Sequence, residues 1–129
     1  MYEKYIIVTE ETKNIKKDQS IIGFQLGARV PYYRGLGISM IEHIELTVDG
    51  NKIPDTDILV EIHGNTYSLK QMETEESDRW EFGEVGHIKV LQNNGLSSGR
   101  HVITLIFTLR ISYMPVLAHR KDSKEIEFN

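Results

Sequence analysis

Two histidine–glutamate pairs, His43 with Glu45 and Glu61 with His63, have the types and spacing best suited to chemistry. Residues two apart share one face of a β-strand, because side chains alternate across the sheet. Were the two strands neighbours in register, four ligands would meet in a set suited to zinc or manganese. The competing reading is the wet face of a sheet, where histidine and glutamate are common. It is preferred, and no metal is assigned to this chain. The sequence has no cysteine, which removes disulfides, thiolate metal sites and Cys–His catalysis. Gly35-Leu36-Gly37 is a bare GxG without a following helical pattern, so it makes no phosphate loop. A GxSxG elbow is absent, and spacing alone leaves a Ser–His–Asp set open. Glu73, Glu75, Glu76 and Asp78 read as charged surface, since acid–base work requires burial or a neighbouring charge. No catalytic residue is assigned.

Recognition chemistry is better represented. Tyr32, Tyr33, Arg34, Trp80, Tyr113, Met114 and Pro115 are residue types enriched at interfaces. The segment 31–40, PYYRGLGISM, is more aromatic and apolar than an ordinary connecting loop. It reads equally as a contact surface or as a packed cross-over. Trp80, the single tryptophan, also suits a core, and Tyr113 continues the apolar face of its strand.

The elements that must position these residues follow a period of two, the mark of half-buried strands. Across 101–113, Ile103, Leu105, Phe107, Leu109, Ile111 and Tyr113 fall on one face, against Thr104, Thr108, Arg110 and Ser112. Ile22 to Val30, Ile44 to Val48 and Ile58 to Ile62 repeat the pattern. Shorter candidates are 5–9, 66–69, 80–82 and 87–91. Asp49-Gly50 and Gly64-Asn65 read as hairpin turns that require positive φ. The segment 69–77 allows a turn or two of helix. The expected fold is all-β, an antiparallel β-sandwich of roughly eight strands with little helix. Strand order is not legible from alternation, so a barrel stays open. One domain is expected over 1–129, with 119–129 as a charged, solvated tail.

The 129 residues carry a net charge of −4. A duplex-binding domain would carry a basic excess, so nucleic acid is not an expected partner. The opening apolar stretch, Tyr5 to Val8, is shorter than the ~7–15 residues of a signal-peptide core. No segment approaches the ~20 apolar residues that span a bilayer. A cytoplasmic protein without a membrane partner is expected.

Three blocks in this order carry a family likeness: GFQLGARVPYYRGLGISMIEHIELTVDG (23–50), RWEFGE (79–84) and LRISYMP (109–115). Together they resemble the beta subunit of bacterial C-glycoside deglycosidases. The resemblance implies a small β-sandwich beside a larger TIM-barrel alpha subunit, in a higher hetero-oligomer. It implies no cofactor on this chain, and a divalent metal, typically manganese, on the alpha subunit. The implied reaction cleaves the carbon–carbon bond between a 3-oxo-glucosyl unit and an aromatic aglycone. A proton leaves beside the C3 ketone, and the aglycone then departs. Since base and metal ligands would belong to the alpha subunit, this chain is expected to contribute contacts, from Arg29, Tyr32, Tyr33, Arg34, Trp80 and Tyr113. The alternatives are a stand-alone carbohydrate-binding β-sandwich module and a metal enzyme built on His43, Glu45, Glu61 and His63. Sugar binding by the isolated chain would favour the first, and stoichiometric bound metal the second.

Overall fold

Alternating side chains resolve into eleven strands in a computed structural model that describes residues 6–32, 34–110 and 116–128. In chain order these are β1 (Ile7–Lys17), β2 (Ser20–Ala28), β3 (Leu36–Gly37), β4 (Ile41–Val48), β5 (Asn51–Lys52), β6 (Ile58–Ile62), β7 (Asn65–Ser68), β8 (Arg79–Trp80), β9 (Gly86–Leu91), β10 (Gly99–Leu109) and β11 (Ala118–Phe128). One four-residue helix, α1 (Leu69–Met72), follows β7. It is short because it has little beyond its cap: the Ser68 hydroxyl accepts from the Gln71 N–H, and the Gln71 side chain returns the bond.

All strand pairs among the described residues are antiparallel. One sheet runs β1-β2-β9-β6-β7, a second runs β11-β10-β4-β5, and β3 pairs with β8 alone. The inward residues of both large sheets form a single core: Phe24 and Leu26 from β2, Val60 and Ile88 from β6 and β9, Leu46 and Leu105 from β4 and β10. The fold is thus the all-β antiparallel sandwich that alternation predicts. The short strands β3 and β5 lack enough residues to show a period.

The segment 119–129 is a correction to the sequence reading. Nearly all of it belongs to β11, which pairs with β10 from Leu109↔Ala118 to Gly99↔Phe128. Its charges conceal the alternation that buries Ala118, Asp122, Ile126 and Phe128. Asp122 and Lys124 point inward because they complete the seam between the sheets. The Ile7 N–H donates to Asp122 Oδ2 at 2.9 Å, and Lys124 Nζ donates to the Ile7 carbonyl at 2.6 Å. Side chains here replace a ladder between two edge strands, and inward charge also guards an edge against foreign strands.

Candidate functional site

The segment 31–40 crosses from β2 in one sheet to β4 in the other, and its apolar residues are consumed by that crossing. Val30, Leu36 and Ile38 are buried, and Tyr32 is partly buried against the core. Leu36 and Gly37 form β3, which pairs with Trp80 and Arg79 of β8. Gly35 makes this approach possible. Its φ is +69°, and a Cβ there would lie 2.7 Å from the Trp80 carbonyl oxygen. Further on, the Arg110 N–H donates to the Met40 carbonyl at 2.8 Å, and Arg110 pairs with Glu42. The stretches 31–40, 79–84 and 109–110 therefore converge at one end of the sandwich.

Trp80 anchors this end from inside. Its side chain is fully buried and meets Phe107 edge-on, with ring centroids 5.6 Å apart. The indole N–H donates to the Glu84 carbonyl at 2.8 Å. A partner cannot touch this ring, so Trp80 positions the surface without forming part of it. Phe82, at the tip of the same segment, is 47% exposed. Arg34 is exposed, and its carbonyl accepts from Arg79 Nη2 at 3.3 Å. Arg29 is half-buried beside the start of β1, with its N–H on the Ile6 carbonyl at 2.8 Å. Val116 and Leu117, just before β11, are 68% and 42% exposed. Tyr33 and Tyr113 lie outside the described residues.

His63 holds this end together. It occupies the β6–β7 turn with φ +54°, followed by Gly64 at +80°. The turn pair is therefore His63-Gly64, one position earlier than Gly64-Asn65. Histidine tolerates the left-handed region better than most residues. The ring reaches the 78–84 segment with both nitrogens: Nδ1 meets Asp78 Oδ1 at 2.8 Å, and Nε2 meets Glu84. Asp78 is buried, unlike the surface carboxylates with which the sequence groups it. It also accepts from the Tyr67 hydroxyl at 2.8 Å and the Arg79 N–H at 2.9 Å. Burial alone would push the Asp78 carboxyl up, but the bonds from Tyr67, His63 and Arg79 hold it below the ordinary carboxylate value. The bond to Asp78, with a smaller contribution from Glu84, raises His63 above 6.5. Bonded to that same carboxylate and partly buried, the Tyr67 hydroxyl is pushed up to about 12.

The four residues weighed as metal ligands do not meet. His43 and Glu45 lie on β4 of one large sheet, whereas Glu61 lies on β6 of the other and His63 sits in the turn that follows that strand. Each is engaged elsewhere. His43 pairs with Asp55 at 2.9 Å, Glu45 lies 3.9 Å from Lys52, and Glu61 takes His87 and Lys89 at 3.2 and 3.3 Å. Among the described residues, no group of three or more His, Asp or Glu side chains is disposed to hold a metal ion.

Ser97, His101 and Asp49, at the opposite end, have the composition of a hydrolytic triad. His101 Nδ1 lies 2.6 Å from Asp49 Oδ2, while Nε2 is 3.3 Å from Ser97 Oγ but 2.8 Å from the Ser97 carbonyl. The bond to Asp49 and the one to the carbonyl raise the His101 pKa. A doubly donating imidazolium has no lone pair for a serine, so this arrangement staples rather than catalyses.

Asp78, Glu84 and Tyr67 are the site residues that sequence reasoning missed. They lie 15, 21 and 4 positions from His63, and no short motif joins them. No helix of the described residues is long and apolar enough to cross a membrane.

The sequence profile of the C-glycoside deglycosidase beta subunit matches residues 2–113. A C-glycoside deglycosidase beta subunit from Eubacterium cellulosolvens is 35% identical over 114 residues, spanning 88% of this chain and 78% of that protein. A beta subunit of the same name from Arthrobacter globiformis is 26% identical over 99 residues, 76% of this chain and 75% of that protein. A Microbacterium 3'-dehydrocarminate deglycosidase beta subunit is 27% identical over 116 residues, 90% of this chain and 83% of its own.

Proposed function

The chain belongs to the C-glycoside deglycosidase beta subunit family, and from that membership we propose that it is the non-catalytic partner of a larger alpha subunit. The complex would cleave the carbon–carbon bond between a 3-oxo-glucosyl unit and an aromatic aglycone. In this reading the alpha subunit is a TIM barrel that supplies the divalent metal, manganese, and the base that removes the proton beside the C3 ketone. This chain binds that subunit, orients its loops and keeps water from one side of its pocket. It works in the cytoplasm within a higher hetero-oligomer.

The observation that carries the proposal is the convergence of the 31–40, 79–84 and 109–110 stretches at one end of the sandwich, with Phe82, Arg34, Val116 and Leu117 exposed there. Exposed aromatic and arginine side chains on an otherwise packed scaffold are what a protein interface uses.

Co-expression with the larger subunit, followed by a mass measurement and an assay on a 3-oxo C-glucoside, tests this. The pair should co-purify and turn over, and this chain alone should be inactive. Phe82→Asp combined with Arg34→Glu should weaken assembly at least about tenfold, the loss of a single modest hot spot. Turnover by the isolated chain, or undiminished assembly of the double variant, would overturn the reading.

A further inference from the structure

Resting on that reading, we propose that a protonated His63 pins the 78–84 segment in its partner-binding shape, so that assembly with the larger subunit weakens as the proton is lost. The argument begins with donor counting. Ionised Asp78 and Glu84 only accept, and His63 presents one ring nitrogen to each. A neutral imidazole has one N–H. It can satisfy one carboxylate only by turning a lone pair toward the other. The bridged geometry therefore requires the imidazolium.

The two carboxylates lie at opposite ends of the segment that presents Phe82. Asp78 fixes the entry: its side chain holds Tyr67 and the Arg79 N–H, and its carbonyl accepts from the Ile38 N–H at 3.1 Å. Glu84 fixes the exit. Its Oε1 accepts from the Glu81 N–H at 3.0 Å, its N–H donates to the Glu81 carbonyl at 3.1 Å, and its carbonyl holds the Trp80 indole. Phe82 and Gly83, with φ +85°, lie inside the turn that Glu84 closes. Releasing Glu84 from His63 thus loosens the turn whose tip is Phe82.

Other charged groups nearby have partners of their own. From β8, Arg79 bonds Glu81 at 2.8 Å and reaches the Arg34 carbonyl. His87 of β9 lies between Glu11 and Glu61, and Lys89 bonds Glu61. On β7, the Tyr67 hydroxyl donates to Asp78 and carries no charge near neutrality. His63 is thus the group whose titration the segment reads. The bond to Asp78, and to a lesser degree Glu84, raises its pKa above the ordinary histidine value of 6.5.

The test pairs two measurements on the full chain. Amide hydrogen exchange of residues 79–84 is followed from pH 6 to 9, corrected for the intrinsic pH dependence of exchange, and affinity for the larger subunit is titrated over the same range. Wild type should lose protection, and its affinity should fall on the order of threefold to tenfold, as linkage to one proton allows. His63→Gln should be weak and pH-independent in both readouts. His63→Lys, charged throughout, should also lose the pH slope. Protection or affinity that is independent of pH in wild type, or a slope retained in His63→Gln, overturns the proposal. A complex that forms at no pH would sink the subunit reading and the assembly half of this one, while the exchange data still decide the pin.

Discussion

At one end of the sandwich His63 bridges Asp78 and Glu84; at the other His101 bridges Asp49 and the Ser97 carbonyl. The first ring faces two negative charges and is 44% exposed, and the second faces one and is 11% exposed. Their surroundings differ in the same sense. The His101 end is closed by a two-residue turn, Asp49-Gly50, and the ring packs edge-on against Phe128 at 5.6 Å. The His63 end has a two-residue turn too, His63-Gly64, but it is completed by a long crossing and a long connection that meet through tertiary contacts, β3 on β8 and Trp80 on Phe107. A tight end keeps its shape from local chain geometry. A looped end depends on distant residues, which lets a partner or a proton alter it.

The largest test of this contrast removes the aromatic anchor of each end. Trp80→Ala and Phe128→Ala should each cost about 3–5 kcal/mol, the usual loss for a buried ring, read by urea unfolding. Their effects on assembly should diverge. In the folded fraction, Trp80→Ala should weaken binding to the larger subunit, whereas Phe128→Ala should leave affinity intact. Equal loss of affinity in both would erase the distinction between the ends.

A smaller pair uses glycine. Gly35 and Gly50 both have positive φ, +69° and +84°, so alanine at either should cost roughly 1–2 kcal/mol of backbone strain. Gly50 has nothing within 4 Å of an added Cβ, while at Gly35 the Trp80 carbonyl and Glu81 Cα stand 2.7 and 2.8 Å away. Gly35→Ala should therefore add about 1–3 kcal/mol of steric cost by pushing β3 from β8. Melting temperatures of the two variants decide the point, and a Gly35→Ala no worse than Gly50→Ala would deny the close approach.

The same contrast explains what the sequence made legible. Period-two alternation marked β2, β4, β6 and β10 because their apolar faces bury directly into the core. Asp49-Gly50 was legible because a two-residue turn writes its geometry into its own residues. The strand β11 was not, since Asp122 and Lys124 stand at inward positions to serve the backbone of β1 rather than the core. The looped end was half legible. PYYRGLGISM stood out by composition, but most of its apolar residues pack inward, and Trp80 proved to be support rather than surface. The His63 pin left no local signal, because its partners Asp78 and Glu84 are distant in sequence and are neighbours only through the tertiary fold.

The subtlest comparison is between the two histidines in pH and salt. A raised folded pKa means that folding favours the protonated ring, so this stabilisation is complete below the ordinary histidine value of 6.5. It is lost as pH rises through the folded-state value. Asp49 and Asp78 behave oppositely, for their pKa values are lowered and their contribution disappears as pH falls below 3.8 toward the folded-state values. Melting temperature should therefore hold a plateau between roughly pH 4 and 6.5 and decline above it. His63→Gln and His101→Gln should each remove part of the upper decline. Salt separates the two parts. The exposed His63 sits in a field that counterions reach, whereas His101 is shielded by Phe128 and the 96–98 loop. Raising ionic strength from about 0.01 to 1 M shortens the Debye length from ~30 to ~3 Å, so it should flatten the decline in His101→Gln, where His63 remains, more than in His63→Gln. Equal flattening would place both rings in the same dielectric setting, and the looped end would lose its claim to be the more responsive of the two.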